Sequence, residues 1–107
     1  MELRNERTAV IIDLKLLEQN IRRIRCLLRP GVELTAVLKA DGYGHGAAGI
    51  YPTFRKCHTE RFAVAIWEEG AALREAGARE PILLLGDIRK EALPEIIHYR
   101  LTPTVFS

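Results

Sequence analysis

The sequence predicts an α/β fold built of parallel βα units, and two observations carry that prediction. The apolar residues switch repeatedly between short strand-like runs and helix-like periods. The runs begin near residues 9, 33, 61, 81 and 101, with one helical pattern in each gap. That is the spacing of strands joined by helical crossovers.

Ala9–Ile12 reads as a short first strand, closed by Asp13, a good helix N-cap. Leu14, Leu17, Ile21, Ile24 and Leu28 then recur at alternating spacings of 3 and 4, one face of an amphipathic helix. Arg22, Arg23 and Arg25 fall on its wet side, and Pro30-Gly31 ends it. Leu34–Leu38 reads as a buried strand, followed by a glycine-rich stretch and a helix carrying Ile50, Phe54 and Cys57 on one face. Pro52 is tolerated only in a first turn, which sets the start of that helix near Ile50. Phe62–Ile66 is the next strand, and Glu68–Ala76 the next helix, stopped by Gly77. Pro81–Leu85 is apolar throughout and fits a sheet covered on both faces. Arg89–Tyr99 is a weaker helix interrupted by Pro94, and Leu101–Phe106 is a last strand. Pro103 in that strand has no N–H and suits a sheet edge.

Composition narrows the class. At 107 residues, 48% hydrophobic and 28% charged, the chain is one folded piece and not a disordered one. A net charge of +2, with both signs scattered, lacks the basic excess of a nucleic-acid binder. The longest apolar run, Phe62–Trp67, is far shorter than the ~18 residues that span a bilayer. The first seven residues are polar and mixed in charge, unlike a secretory signal, so a cytoplasmic protein is expected. Cys26 and Cys57 are too far apart for a metal motif; both sit in helical patterns and are expected to be reduced, partly buried thiols. A complete (β/α)8 barrel needs ~250 residues. Residues 1–107 supply about half of its strands, so the expected architecture is a partial TIM-type barrel, with its later half and any further domain absent.

The densest chemical cluster is Ala36-Val37-Leu38-Lys39-Ala40-Asp41-Gly42-Tyr43-Gly44-His45-Gly46. Lys39 follows a buried strand at its carboxyl end, the side on which parallel α/β sheets build active sites. Apolar walls disfavour the ammonium form of a lysine held there, and the neutral amine is the nucleophile that condenses with an aldehyde. Glycines at 42, 44 and 46 let the backbone turn and approach a ligand closely. Gly44-His45-Gly46-Ala47-Ala48-Gly49 also matches G-x-G-x-x-G, with Glu68 about twenty residues on. The dinucleotide reading of that pattern fails on position: Gly44 comes five residues after Lys39 rather than at the strand end. His45 could act as a base or stack on a ring, although a histidine at a helix start is more often structural. His58 and His98 sit near helix ends and complement the helix dipole, and Glu68 and Glu69 do the same at a helix start. From the residues alone, the reading reaches a strand-end lysine in a glycine loop that binds a phosphorylated or carbonyl ligand.

The segment Ala36–Gly46 resembles the cofactor-lysine motif of the alanine racemase family. The likeness continues through Phe62-Ala63-Val64-Ala65 with Glu68–Gly77, through Pro81–Gly86, and through Leu101–Val105. The resemblance implies an eight-stranded α/β barrel followed by a C-terminal β domain, with the first short strand packing against that domain. It implies pyridoxal 5′-phosphate held by Lys39, with Tyr43 near its phosphate and Val37 and Leu85 as apolar neighbours. Gly42 departs from the alanine common at its place, which loosens the loop. The implied activity interconverts L- and D-alanine for cell-wall precursor supply, in a homodimer whose second proton-transferring group is a tyrosine of the partner's β domain. Neither that domain nor the later barrel strands are encoded here, so residues 1–107 are expected to be inactive alone. A serine racemase, a non-racemising barrel protein that binds the same cofactor, and a non-enzymatic remnant are the alternatives.

Overall fold

The computed structural model describes residues 14–38, 44–86 and 88–104, with the backbone alone for 44–48. The order is α1 (Leu14–Leu27), β1 (Thr35–Val37), α2 (Gly44–Lys56), β2 (Arg61–Val64), α3 (Trp67–Glu75), β3 (Ile82–Leu84), α4 (Leu93–His98) and β4 (Thr102–Pro103), with a 3-10 turn, Lys90–Ala92, leading into α4. The first expected strand, Ala9–Ile12, and its cap Asp13 lie outside the described residues. Each of the other expected strands is present and, among the described residues, shorter than expected.

The four strands form one parallel sheet in the order β1-β2-β3-β4. Every strand therefore neighbours the next in sequence, the winding of a barrel wall. Ala36 pairs with Phe62 and Phe62 with Ile82; Val64 pairs with Leu84. These residues share the face covered by the helices, and Phe62, Val64 and Ile82 are fully buried there. Leu38, Tyr51, Leu73, Ala78, Ile96 and Leu101 complete this core. Burial of that many apolar side chains is the main driving force for the unit, since each contributes ~1.5–3 kcal/mol relative to exposure. Val37, Ala63 and Leu83 alternate onto the opposite face. Val37 is 54% exposed and Leu83 half-buried, so Pro81–Leu85 is covered on one face and only partly on the other. β4 is an edge of the described sheet, the position for which Pro103 is suited.

Several expectations need correction. The second helix starts at Gly44, not near Ile50, and carries Pro52 inside it. Pro52 is exposed, and the helix is held instead by packing. The Tyr51 and Phe54 rings meet Phe62 at centroid distances of 5.5 and 6.0 Å. Gly44 and Gly46 consequently belong to that helix rather than to a loop. Pro94 does not interrupt a helix; it lies in the first turn of α4, where its missing N–H costs nothing. The apolar face of α1 is only partly used: Ile21 is buried, but Leu14 and Ile24 are 46% and 48% exposed. α1 packs on α2 at the rim of the sheet. Arg25 is not on the wet side but half-buried against the turn after α2. Finally, Cys26 is exposed, and Cys57 is buried one residue past the end of α2.

Candidate active site

The carboxyl ends of the strands are held in register beyond the strands themselves. Leu38 donates its N–H to Ala63 O at 2.7 Å, Leu85 to Val64 O at 2.8 Å, and Gly86 to Ala65 O at 3.0 Å. A Cβ on Gly86 would lie 2.3 Å from the Ala65 oxygen, so only glycine lets β2 and β3 approach this closely at their ends. The Thr104 hydroxyl donates to Leu84 O at 2.6 Å and ties the chain after β4 to the same rim.

Glu69 organises the loop between β2 and α3. The residue is 3% exposed, and its carboxylate accepts the N–H of Ala65 at 2.8 Å and of Ile66 at 3.2 Å. This satisfies main-chain donors at the helix start, as expected for the acidic pair Glu68-Glu69, although the partner sits on the strand side of the cap.

Of the four residues assigned to the site, Val37 and Leu85 are described. Leu83 pairs across β2 with the row holding Val37, and Leu85, two residues on, lies on the same non-helical face. Val37 is half-exposed and Leu85 half-buried, with the small side chain of Ala63 between their strands. The result is an apolar patch at the carboxyl end of the non-helical face. Lys39 and Tyr43 lie outside the described residues, as do Asp41 and Gly42; the side chain of His45 does too. What is fixed is where β1 ends: Leu38, the residue before Lys39 in sequence, is bonded into the sheet at its carboxyl end.

The opposite, amino end is organised by side chains that sequence periodicity does not single out. Glu60 accepts the N–H of Leu34 at 2.8 Å and pairs with Arg25 at 2.9 Å. The guanidinium holds its carboxyl below the usual carboxylate range, aided by that N–H. Arg74 donates to four carbonyls: Tyr99 at 2.7 Å, Glu80 at 2.8 Å, Arg100 at 2.9 Å and Ala78 at 3.1 Å. Burial pushes its guanidinium down from the ordinary arginine value. The Tyr51 hydroxyl donates to Glu80 at 2.9 Å, and burial raises its pKa. His58 sits in the turn beside Glu60 and offers its carbonyl to Arg25, while the His98 ring packs edge-on to Tyr99 at 4.8 Å. Among the described residues, no cluster of three His, Cys, Asp or Glu could hold a metal ion, and no helix is long and apolar enough to cross a membrane.

Comparison with known proteins covers nearly the whole chain. The family model for the N-terminal domain of alanine racemase matches residues 12–107. The alanine racemase of Synechocystis sp. is 44% identical over 103 residues, which are 95% of this chain and 28% of that protein. The solved alanine racemase of Clostridium difficile 630, in complex with cycloserine, superposes with a TM-score of 0.82 at 38% identity, over 90% of this chain and 26% of that one. The alanine racemase of Bartonella henselae with covalently bound pyridoxal phosphate does so with a TM-score of 0.74 at 29% identity, over 86% and 26%. The chain thus spans about a quarter of the length of the relatives it matches.

Proposed function

Since this chain belongs to the alanine racemase family through its N-terminal domain, we propose that it is the first part of a pyridoxal-phosphate-dependent enzyme interconverting L- and D-alanine for cell-wall precursors. The observation that carries the reading is that β1 ends at the carboxyl rim of a parallel sheet, with Leu38, the residue before Lys39 in sequence, bonded to Ala63 and the apolar Val37 and Leu85 at the same end. The patch fits a flat heteroaromatic ring. Val37 and Leu85 offer apolar contact without a charge, and the small Ala63 leaves room between them. Bound there, pyridoxal phosphate would supply an electron sink for the carbanion formed at the substrate α-carbon.

The residues of this chain take distinct parts. Lys39 would hold the cofactor through its amine and would move a proton at the substrate α-carbon on its own face. An apolar surround there would disfavour the ammonium form and favour the reactive neutral amine. Tyr43 would serve the phosphate, and Val37 and Leu85 would offer apolar contact to the ring. Glu69 and Gly86 are positioning residues: they fix the β2 and β3 rims on which the patch rests.

A racemase needs a second proton donor on the opposite face, supplied by the partner subunit's C-terminal β domain, and further barrel strands to anchor phosphate and substrate carboxylate. The active form is therefore a cytoplasmic homodimer of the longer protein. Residues 1–107 alone do not racemise, because losing one acid–base partner costs on the order of 10²–10⁴ in rate. Alone they expose a sheet edge and an apolar inner face, and associate.

The test uses a hybrid in which residues 1–107 replace the matching segment of the Synechocystis alanine racemase. Borohydride reduction should leave a pyridoxyl group on Lys39 by peptide mapping, and Lys39→Arg should abolish turnover with the melting temperature kept. An adduct elsewhere, or an active Lys39→Arg, would overturn the assignment.

A further inference from the structure

The two outer helices each carry an exposed apolar stripe, and the stripes lie on opposite flanks. On α1, Ile21 is buried against the rest of the unit. Glu18 and Arg25 lie to one side of it and reach the next unit, Glu18 to Lys56 of α2 and Arg25 to Glu60. At about 100° per residue, Leu16, Ile24 and Leu27 fall on the other side of Ile21. They are 53%, 48% and 80% exposed. On α4 the core residue is Ile96. Tyr99, just past the helix end, stacks on Trp67 of α3 with ring centroids 6.2 Å apart, which marks the α3 side. Leu93 and Ile97 fall on the side away from α3 and are 42% and 74% exposed. One stripe thus faces away from α2 and the other away from α3, in opposite directions around the same wall.

The strands beneath follow the same rule. β1 and β4 are the edges of the described sheet, and every neighbouring pair in it is parallel. A strand continuing that pattern beside β4 runs parallel to it and carries its helix in the same layer. β1 with α1 is such a unit, and β4 with α4 is its counterpart for the open side of β1. The contact already exists inside the chain, where β2 pairs with β3 and α2 packs on α3. Height agrees as well: Leu27 and Ile97 both stand in the last turn of their helices, at the amino end of the sheet.

Apolar stripes this exposed are association surfaces. With one flank offered at each end, the contact is head to tail, and such contacts either close into a ring or run on as a filament. Four described strands per copy make eight in two copies. Eight is the number at which a small barrel closes with its interior filled by side chains.

We propose that the chain of residues 1–107 binds a second copy of itself head to tail, α4 and β4 of each against α1 and β1 of the other. The pair closes an eight-stranded ring with two identical seams. This goes beyond association of exposed edges, because it fixes which surfaces meet and how many copies assemble. It rests on the winding of the sheet and not on the cofactor reading, so a failure to bind pyridoxal phosphate leaves it intact.

The experiment reads the mass of the 107-residue chain by sedimentation and native mass spectrometry, with circular dichroism melts to follow the fold. The parent should run as two chains at micromolar concentration. Ile97→Glu and Leu27→Lys, both at exposed positions, should keep a cooperative melt. Each should raise the dissociation constant by about tenfold or more, because its seam would bury an unpaired charge. Mixed in equal amounts, the two variants should recover a two-chain species holding one copy of each. One seam then joins opposite charges, and the other is native on both sides. A contact of α1 with α1 would ignore Ile97→Glu, and one of α4 with α4 would ignore Leu27→Lys. A monomeric or open-ended parent, a parent without a cooperative melt, a single variant that pairs like the parent, or a mixture that stays monomeric would overturn the ring.

Discussion

The two ends of the sheet are held by different means. At the amino end, side chains reach across units to main-chain carbonyls: Arg25 to the turn after α2, Arg74 to the turns around β3 and β4. At the carboxyl end the main chain bonds chiefly to itself, through Leu38, Leu85 and Gly86, with Glu69 as the buried anion that caps it. Among the described residues, long charged side chains crowd the amino end, and the carboxyl end carries small and apolar groups such as Val37, Ala63 and Leu85. On the proposed reading, the stitched end tolerates rigid cross-links while the other end would have to admit a ligand.

Three changes in the hybrid enzyme would break or sharpen this contrast. Arg74→Met should have the largest effect on stability, about 3 kcal/mol in chemical denaturation, because four carbonyls lose a charged donor at once. Its kcat/KM should stay within a few-fold once folded. A fall in activity larger than the fall in folded protein would show that the ends are coupled. Gly86→Ala should cost less stability, about 1–3 kcal/mol, from the clash with the Ala65 carbonyl. Here cofactor affinity, read by pyridoxal phosphate titration, should fall as well, since the patch is pried open; unchanged affinity would remove Gly86 from the site.

The smallest effect belongs to pH. The Arg25 guanidinium and the Leu34 N–H depress the Glu60 pKa in the folded state, so this pair contributes stability above the unfolded carboxylate range, ~4.3. That contribution disappears as pH falls through the depressed folded value. Glu60→Gln should therefore flatten the acid decline of the melting temperature and leave its alkaline side unchanged. An acid limb as steep as that of the parent would mean the pair is worth nothing to the fold.

Strand identities were readable from the chain because Phe62–Val64 and Ile82–Leu84 are short apolar runs with no competing helical period. The strand that ends just before Lys39 was equally readable, while the lysine itself lies outside the described residues. Other features depend on neighbours distant in sequence. Arg74 looks like any exposed helix charge until the carbonyls of residues 99 and 100 are brought beside it. Gly86 looks like a plain turn glycine until Ala65 is seen opposite. Pro52 misled the placement of the second helix because its local cost was weighed without the aromatic contacts of Tyr51 and Phe54 on Phe62. The same holds for α1, whose regular apolar period could not say which part of its face would find a neighbour.

The strand order carries a consequence for synthesis on the ribosome. Paired residues such as Thr35 with Arg61, Phe62 with Ile82 and Leu83 with Thr102 lie 26, 20 and 19 residues apart in the chain. Each loop to be closed is therefore short, and its entropic cost is met as soon as the next unit emerges. The wall can grow one βα unit at a time behind the exit tunnel, with β1 as its first strand. Each emerging unit finds the preceding strand already in place, which makes the pace of translation and the supply of chaperones as relevant to yield as final stability.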